Sequence, residues 1–339
     1  MSDLLLEVKD VTKAFRIGGL FLGTELLALD HVSLSLDKAK PSIMSIVGES
    51  GSGKTTLAKL ILKLHEPTSG DILLDGKSIY SPEHGLDHLD YLRAVQPIFQ
   101  NPFETFSARK PVETYLYDTA LKLKVAKNKN EAREVIAQAL ASVGLDLNVA
   151  KGKYAHQFSG GELQRISIAR GLIPRPKLIV ADEPVSMIDA SLRMNIVNLF
   201  LQLKETYNVS FIYITHDLST AYYMSDFIGV MYRGSLVEYG SSDEILTNPQ
   251  HPYTQLLLDS VPMVGKKWTR DIKPPDVELK EYQAVACKFA GRCPFVRDIC
   301  RETKPPMVKI TPTREALCYK PVDYEPGRTT VKTETIAAS

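Results

Sequence analysis

The chain has 339 residues, with 41 lysines and arginines against 40 aspartates and glutamates, so its formal net charge is +1. This balance provides no overall basic field for nucleic acid, and no apolar run approaches the roughly 20 residues that cross a bilayer. The N-terminus, with Asp3 and Glu7 among its leucines, does not have the form of a signal peptide. We therefore expect a soluble intracellular protein of two domains, whose contact with any membrane runs through a partner protein.

A glycine-rich turn joins a predicted strand, Ile43–Val47, to a helical pattern over Thr55–Leu64. The turn and the residue after it read Gly48, Glu49, Ser50, Gly51, Ser52, Gly53, Lys54, Thr55 and Thr56. Glycines let successive backbone N–H groups point inward, and the helix N-terminus adds partial positive charge. The pattern predicts a phosphate-binding loop in which Lys54 reaches the outer phosphates and the Thr55 hydroxyl holds Mg²⁺.

Two side chains on either side of this loop are candidates to complete a nucleotide site. Phe15 ends the first strand-like segment, and its ring is predicted to stack on adenine, with burial in the core as the alternative. Gln100 follows a short apolar stretch and precedes Pro102, so its amide is a candidate ligand for Mg²⁺ or water while the proline lets the next segment move. A glutamine before a turn is otherwise simply solvated.

A helical insert separates the loop from a second glycine-rich turn. Glu113–Leu123 and Asn130–Val143 carry apolar residues at helical spacing. The second turn also lies directly before a helix and reads Ser159, Gly160, Gly161 and Glu162. One chain therefore carries two turns built to meet phosphate.

Acidic and imidazole side chains follow two buried strands further along. Lys177–Ala181 is a predicted strand that ends in Asp182 and Glu183, at the sheet edge that would face the loop. Asp182 suits a role at Mg²⁺, either as a direct ligand or through another ligand, and Glu183 is placed to orient and deprotonate a water for attack on the γ-phosphate. His216 follows a second predicted strand, Val209–Ile214, and could contact the γ-phosphate or the attacking water.

All four cysteines lie in one C-terminal segment, at Cys287, Cys293, Cys300 and Cys318. Intracellular location disfavours disulfides, and zinc sites usually contain pairs that are two to four residues apart. Four thiolates can also hold a [4Fe–4S] cluster, although this spacing matches no ferredoxin pattern. The chemistry alone leaves the cluster and zinc open.

Taken in order, these motifs resemble the full set of the ATP-binding cassette ATPases over roughly residues 4 to 260. The resemblance implies an α/β P-loop NTPase (RecA-like) core with an antiparallel β subdomain and a helical subdomain at about 101–170, within a nucleotide-binding domain of residues 1–250. It also implies that the signature turn Ser159–Glu162 of one subunit completes the loop site of a second, so that two ATP molecules lie between the subunits. Ser186–Asp189 resembles the segment that links the two sites, with Asp189 at the nucleotide.

The chain departs from the commonest family pattern at three positions. Phe158 and Glu162 stand where leucine and glutamine are usual, and Val185 stands where threonine is frequent. The serine hydroxyl and the glycine N–H groups that would meet phosphate are intact, so we expect hydrolysis to be retained.

The segment Phe289–Pro294, together with His251–Thr254, resembles the C-terminal extension of the oligopeptide and dipeptide importer ATPases. Members with four such cysteines carry an iron–sulfur cluster there, which implies an extension over 251–322 with a [4Fe–4S] cluster, followed by a disordered tail at 323–339. An insertion over Ile17–Leu27 and the run Val95–Pro102 are closer to the F-type ATPase of this subfamily.

The same resemblance implies the partners and the location. A paralogous D-type ATPase would complete a heterodimer, with a homodimer as the alternative, at the cytoplasmic face of the membrane as a peripheral protein. Two transmembrane permease subunits would be contacted through the helical subdomain and Phe103–Phe106, with core packing as the alternative for either phenylalanine ring. An extracellular substrate-binding protein would act indirectly. The cargo would be peptides or oligosaccharides.

Two other function classes remain to be compared. Soluble cassette ATPases of DNA repair insert a long coiled coil, whereas Ser159 lies only 111 residues after Gly48, and translation-type members carry two cassettes per chain. An ATP-gated redox sensor or a zinc-dependent interaction module would make the cysteines the purpose of the chain.

Overall fold

Two β-sheets organise the protein in the computed structural model, which describes residues 3–17, 24–81, 85–260, 281–282 and 284–319. The strands are β1 (Leu4–Ile17), β2 (Thr24–Asp37), β3 (Ile43–Val47), β4 (Ser69–Leu74), β5 (Lys77–Ser78), β6 (Val95–Ile98), β7 (Leu178–Asp182), β8 (Ser210–Thr215), β9 (Phe227–Tyr232), β10 (Ser235–Ser241), β11 (Met307–Thr311) and β12 (Arg314–Leu317). The helices of the described residues are α1 (Lys54–Ile61), α2 (His88–Ala94), α3 (Pro102–Thr105), α4 (Val112–Lys122), α5 (Lys129–Ser142), α6 (Gly160–Leu172), α7 (Ala190–Tyr207), α8 (Leu218–Met224), α9 (Ser242–Thr247), α10 (Pro252–Asp259) and α11 (Asp298–Glu302).

The larger sheet has the strand order β11-β12-β10-β9-β3-β8-β7-β6, and β6, β7, β8, β3 and β9 run parallel. Strands β3 and β8 are buried along their whole length, as is expected of central parallel strands covered on both faces. Because parallel strands end at one edge, the residues that follow β3, β7 and β8 come together there. This edge carries the candidate site.

The smaller sheet is antiparallel, with the order β2-β1-β4-β5. It packs against the larger sheet through α1, since Leu57, Leu60 and Ile61 share one buried cluster with residues of both sheets. Helix α1 is shorter than the predicted Thr55–Leu64, because the chain leaves the helix at Leu62 and Lys63 has a positive φ of 56°.

The helical insert has a core of its own, in which α5 contacts both α4 and α6. The predicted helices Glu113–Leu123 and Asn130–Val143 are observed one residue earlier at each end. Helix α5 begins where the Asn128 side chain accepts hydrogen bonds from two backbone N–H groups, an N-cap that fixes the boundary.

The cysteine-bearing segment continues the larger sheet, because β12 pairs with β10 at Glu238 and Tyr239. Glu238 is fully buried and forms an ion pair at 2.6 Å with Arg314, which is also buried. Its carboxylate further accepts the backbone N–H groups of Gln250 at 2.8 Å and His251 at 3.0 Å. The two parts therefore share a sheet and a buried polar network, and the division at residue 250 stays a prediction.

Within the described residues, no helix combines the length and the apolar character needed to cross a bilayer. The predicted tail at 323–339 and most of the predicted insertion Ile17–Leu27 lie outside the described residues.

Candidate nucleotide site and cysteine cavity

The phosphate loop is a strained turn that only glycine fits at two of its positions. Gly53 has a φ of 104°, and a Cβ there would lie 2.5 Å from the carbonyl oxygen of Ala28. A Cβ on Gly48 would collide with the carbonyl oxygen of Met231. The neighbouring strands thus fix the loop where β3 ends, directly before the N-terminus of α1.

Lys54 is buried, and its ammonium group lies inside the loop. Its Nζ donates to the carbonyl oxygens of Gly48 and Glu49, each at 2.8 Å. Burial lowers the pKa of Lys54, and the nearby carboxylates, of which Glu183 has the largest effect, oppose this shift. The ammonium is therefore held where phosphate oxygens would replace carbonyl partners.

Asp182 and Thr55 meet across the loop, as the sequence predicts for two Mg²⁺ ligands. The Thr55 hydroxyl donates to Asp182 Oδ1 at 3.4 Å. Burial raises the pKa of Asp182, the hydrogen bond from Thr55 opposes this rise, and the charge of Glu183 adds to it. A hydroxyl and a carboxylate oxygen at this separation, beside a buried lysine, fit a hard divalent cation.

Glu183 lies between the side chains of Gln100 and His216, two further candidate residues of the site. Its Oε2 accepts a hydrogen bond from Gln100 Nε2 at 3.2 Å, and its Oε1 lies 3.2 Å from His216 Nδ1. The backbone of Glu183 has a positive φ of 46°, and its N–H donates to Ile214 of β8 at 2.9 Å. A non-glycine residue held in this conformation is typical of functional sites. The structure thus brings together Gln100, Glu183 and His216.

The segment after Glu183 turns back on it and leads into α7. Ser186 donates its hydroxyl to the Glu183 carbonyl oxygen at 2.9 Å, and Met187 is 59% exposed. Asp189 precedes α7 without a side-chain capping bond. Its predicted contact with nucleotide stays a prediction.

The signature turn begins helix α6. The Ser159 hydroxyl accepts the Glu162 N–H at 3.2 Å, and Glu162 Oε2 accepts the Ser159 N–H at 2.9 Å, a capping box that occupies both side chains. The Ser159 N–H and hydroxyl both donate to Glu162 Oε2, and these two bonds lower the pKa of Glu162. A Cβ on Gly161 would lie 3.7 Å from Leu192 of α7, and one on Gly160 would lie 3.6 Å from Met187. Among the described residues, no hydrogen bond or ion pair joins this turn to the phosphate loop.

Two aromatic predictions have different outcomes. Phe15 is half-buried, its ring meets the His65 ring edge-on at 5.7 Å, and stacking on adenine stays a prediction. Phe103 is 43% exposed, as predicted, but Phe106 is buried at 1% and packs edge-on against Tyr115 at 5.3 Å. Phe106 thus takes the alternative of core packing, because its ring fills the core of the helical insert.

Sequence reasoning missed three residues that contact the phosphate loop from the C-terminal side. Arg292 forms an ion pair with Glu49 at 2.9 Å, Tyr253 accepts the Glu49 N–H at 2.9 Å, and Tyr282 donates to the Gly51 carbonyl oxygen at 3.0 Å. These residues lie more than two hundred positions from the loop in the sequence, and the segments that contain Tyr253 and Arg292 gave no sign of a contact with the loop.

The four cysteines line one cavity of about 310 Å³, together with Phe289, Phe295 and other residues. Burial raises the pKa of Cys287 and raises that of Cys293 to about 12, which keeps both thiols protonated when no cation is bound. Within the described part of the chain, no three cysteine, histidine or acidic side chains stand close enough to hold a single metal ion.

Two family models match the chain. One, described as ABC transporter, covers residues 29–186, and one described as oligopeptide/dipeptide transporter, C-terminal region, covers residues 237–300. The chain is 37% identical to the oligopeptide transport ATP-binding protein AppF of Bacillus subtilis, over 94% of this chain and 98% of the relative. It is 33% identical to the di/tripeptide transport ATP-binding protein DppF of Pseudomonas aeruginosa, over 94% and 98%.

Solved structures share the cassette. The CbiO1 subunit from Clostridium perfringens, part of the ABC transporter complex CbiONQ, is similar with a TM-score of 0.61 at 25% identity, over 73% of this chain and 92% of that one. The ATP-binding cassette MJ0796, solved as a dimer in a post-hydrolysis state with ADP and Pi, is similar with a TM-score of 0.59 at 25% identity, over 70% and 98%. The predicted α/β cassette, with its antiparallel sheet and helical subdomain, is thereby confirmed. The chain belongs to the ABC transporter ATPases, in the group that carries the oligopeptide/dipeptide transporter C-terminal region.

Proposed function

We propose that this chain is the ATP-hydrolysing subunit that powers an importer of dipeptides or oligopeptides, with oligosaccharides as the alternative cargo. The observation that carries the proposal is that one chain joins a phosphate loop with converging polar side chains to the C-terminal region of peptide transporters. Relatives named for oligopeptide and di/tripeptide transport, each similar over 94% of this chain, support the choice of cargo.

The geometry supports a role for each side chain of the site in hydrolysis. Glu183 accepts a proton from water as the water oxygen attacks the γ-phosphorus, and the bond from that phosphorus to the β–γ bridging oxygen breaks to release ADP. His216 orients the water and contacts the γ-phosphate. Lys54 and the loop N–H groups bind the phosphates, and Thr55, Asp182 and Gln100 would hold Mg²⁺, which neutralises the charge that develops on the phosphate oxygens.

The contacts of the site must change when ATP binds. Lys54 would exchange its bonds to the Gly48 and Glu49 carbonyl oxygens for bonds to phosphate oxygens. Gln100, which now donates to Glu183, would turn to the metal and free the carboxylate for water. Both exchanges replace one polar partner by another, so the cost of opening the site is small relative to the charge-assisted bonds gained.

A second ATPase subunit completes the site in this proposal. The Ser159 hydroxyl and the N–H groups of Gly160 and Gly161, at the N-terminus of α6, would contact the γ-phosphate of the nucleotide on the partner subunit. ATP then joins the subunits, and its hydrolysis lets them separate. The dimeric state of the similar cassette MJ0796 supports this arrangement. We propose a paralogous D-type ATPase as the partner.

The membrane partners would be two permease subunits. Phe99 and Phe103 are exposed on either side of Gln100, at 37% and 43%, and suit contact with a helix of a permease at the cytoplasmic face of the membrane. A movement of Gln100 at the nucleotide would then shift Phe99 and Phe103 at the surface that contacts the permease. The substrate-binding protein would act from the other side of the membrane, and cargo selection would lie outside this chain.

We further propose a [4Fe–4S] cluster in the cysteine cavity. A zinc ion held by the four thiolates, at Zn–S distances of about 2.3 Å, is the alternative. Sulfurs of Cys287, Cys293, Cys300 and Cys318 around a shared cavity suit a larger group, bound as thiolates. The cluster would cross-link the segment, with redox regulation as a secondary role. Quantifying iron and zinc in anaerobically purified protein decides between the [4Fe–4S] cluster and a zinc ion.

Reconstitution tests the main proposal. The chain should co-purify with two permease subunits and drive ATP-dependent uptake of a labelled oligopeptide into vesicles, while Glu183→Gln should assemble but not transport. Uptake of oligosaccharide alone would reassign the cargo. Retention on DNA or ribosomes, without any permease, would instead support a soluble cassette ATPase.

A further inference from the structure

The first half of the phosphate loop is held from outside by the C-terminal part of the chain. Arg292 donates from Nη1 and Nη2 to the two carboxylate oxygens of Glu49, at 3.0 and 2.9 Å. Tyr282 donates its hydroxyl to the carbonyl oxygen of Gly51 at 3.0 Å, and the Tyr253 hydroxyl accepts the Glu49 N–H at 2.9 Å. Three separate side chains thus contact the backbone or the side chain of Glu49–Gly51.

These side chains are themselves fixed. The Tyr282 hydroxyl accepts a hydrogen bond at 3.0 Å from Arg233, whose side chain is 4% exposed and pairs with Glu281 at 2.9 Å. The guanidinium of Arg292 lies over the rings of Tyr232 and Phe289, at 5.7 and 5.8 Å. These contacts couple the position of the phosphate loop to that of the C-terminal part, because neither can move without losing packing or a charge-assisted hydrogen bond.

Phe289 and the chain itself connect these contacts to the cysteine cavity. Arg292 directly precedes Cys293 in the sequence, and the Phe289 ring beneath its guanidinium lines the cavity with the four cysteines. The conformation of this segment therefore sets where Arg292 can reach.

We propose that Arg292 and Tyr282 are positioning residues for the phosphate loop, through which the cysteine-bearing segment sets the affinity of the site for nucleotide. The inference rests on the proposed ATPase function and adds a determinant that lies outside the family's nucleotide motifs. Tyr282 restrains the Gly51 carbonyl oxygen through its hydrogen bond. Arg292 neutralises a carboxylate that would otherwise place an unpaired negative charge in a loop that binds an anion.

A competing explanation is that the contacts only dock the segment onto the cassette. Asp30 offers a natural comparison, since it pairs with Lys288 at 2.9 Å and Lys304 at 2.9 Å and docks the same segment. If docking alone mattered, breaking these pairs and breaking the Arg292 pair would affect nucleotide binding alike.

The test uses the full-length chain and a fluorescent ATP analogue. We expect Arg292→Ala to weaken binding about threefold to tenfold and Tyr282→Phe about twofold to threefold, the range for partly exposed ion pairs and single hydrogen bonds. KM for ATP should rise in step while kcat at saturating ATP stays close to that of the unaltered protein. Arg292→Lys, which keeps the charge, should recover part of the affinity. Arg301→Ala, an exposed change in α11, is the matched control and should bind normally.

A second substitution separates charge from docking. In the Arg292→Ala protein, Glu49→Gln removes the unpaired carboxylate and should restore part of the affinity, whereas Lys304→Ala in the unaltered protein should leave binding unchanged. Metal content and melting temperature report whether the cysteine-bearing segment remains folded. If Arg292→Ala unfolds this segment, Tyr282→Phe, which removes a single oxygen, replaces it as the test variant.

Unchanged affinity in both Arg292→Ala and Tyr282→Phe, with the segment folded, overturns the inference. So does an equal loss of affinity in Lys304→Ala, which would assign the contacts to docking. Either result is distinct from failure of the proposed function, in which the unaltered chain itself would neither bind ATP nor support uptake.

Discussion

Replacing Glu183 by glutamine separates chemistry from binding at this site. The glutamine is nearly the same size, adopts the same positive φ at equal cost, and its amide oxygen can still accept the bond from Gln100 Nε2. The contact between Oε1 and His216 Nδ1 is altered, but the His216 side chain is 64% exposed, so the effect on folding should stay below about 1 kcal/mol.

The catalytic effect should be much larger. A positioned general base contributes about 10²- to 10⁴-fold, and each factor of ten corresponds to about 1.4 kcal/mol of barrier, so turnover should fall by about 100-fold or more. Because Lys54, Thr55 and Asp182 are untouched, ATP should bind with its usual affinity. The unhydrolysed ATP should then hold two subunits together.

The assay measures phosphate release, nucleotide affinity and, by light scattering, subunit association in ATP. Glu183→Asp serves as a control that keeps a carboxylate but shortens its reach. Turnover within a few-fold of the unaltered protein, at normal stability, would remove Glu183 as the base and direct attention to His216.

Lys54→Ala should lose most nucleotide affinity while the fold survives, as measured by calorimetry and thermal melting, and near-normal ATP binding would contradict the loop assignment. Cys293→Ser should release the bound metal and loosen residues beyond roughly 285 while the cassette stays folded, which metal analysis and hydrogen exchange would check. His251 is fully buried, and burial lowers its pKa to about 3, while its Nδ1 accepts the Tyr253 N–H at 3.1 Å and must be neutral to do so. The neutral His251 should contribute fully to the stability of the fold above the ordinary histidine pKa of about 6.5. This contribution should diminish as the pH falls from there toward about 3, because the unfolded state then binds a proton that the folded state does not. His251→Asn should flatten this part of the curve of stability against pH, and an unaltered slope would contradict a neutral, buried His251.

The parts of the site that were predicted from sequence are those with short-range signals. Apolar runs gave β3, β7 and β8, and parallel strands share an edge, so the convergence of Asp182, Glu183 and His216 followed without a template. The boundaries of α4 and α5 were predicted to within one residue because caps and apolar spacing are local.

The remaining features depend on contacts between distant residues. Phe106 and Phe103 lie three positions apart and look alike in sequence, yet only the Phe106 ring packs into the core of the helical insert, against Tyr115 of α4. The pair of Glu49 with Arg292 joins residues 243 positions apart, and nothing near either residue indicates the other. Such contacts emerge only when the sheet brings the C-terminal segment beside β9 and β10.

The pairing of β12 with β10 has a practical consequence for shortening this protein. A chain that ends near residue 260 would leave β10 as an open sheet edge, prone to pairing with other molecules. It would also leave the buried Glu238 carboxylate without the guanidinium of Arg314. Removing one member of a buried ion pair typically costs about 3–5 kcal/mol, a large share of the stability of an ordinary domain. Expression of an isolated cassette should therefore retain residues through Leu317, or replace Glu238 and cap the exposed edge.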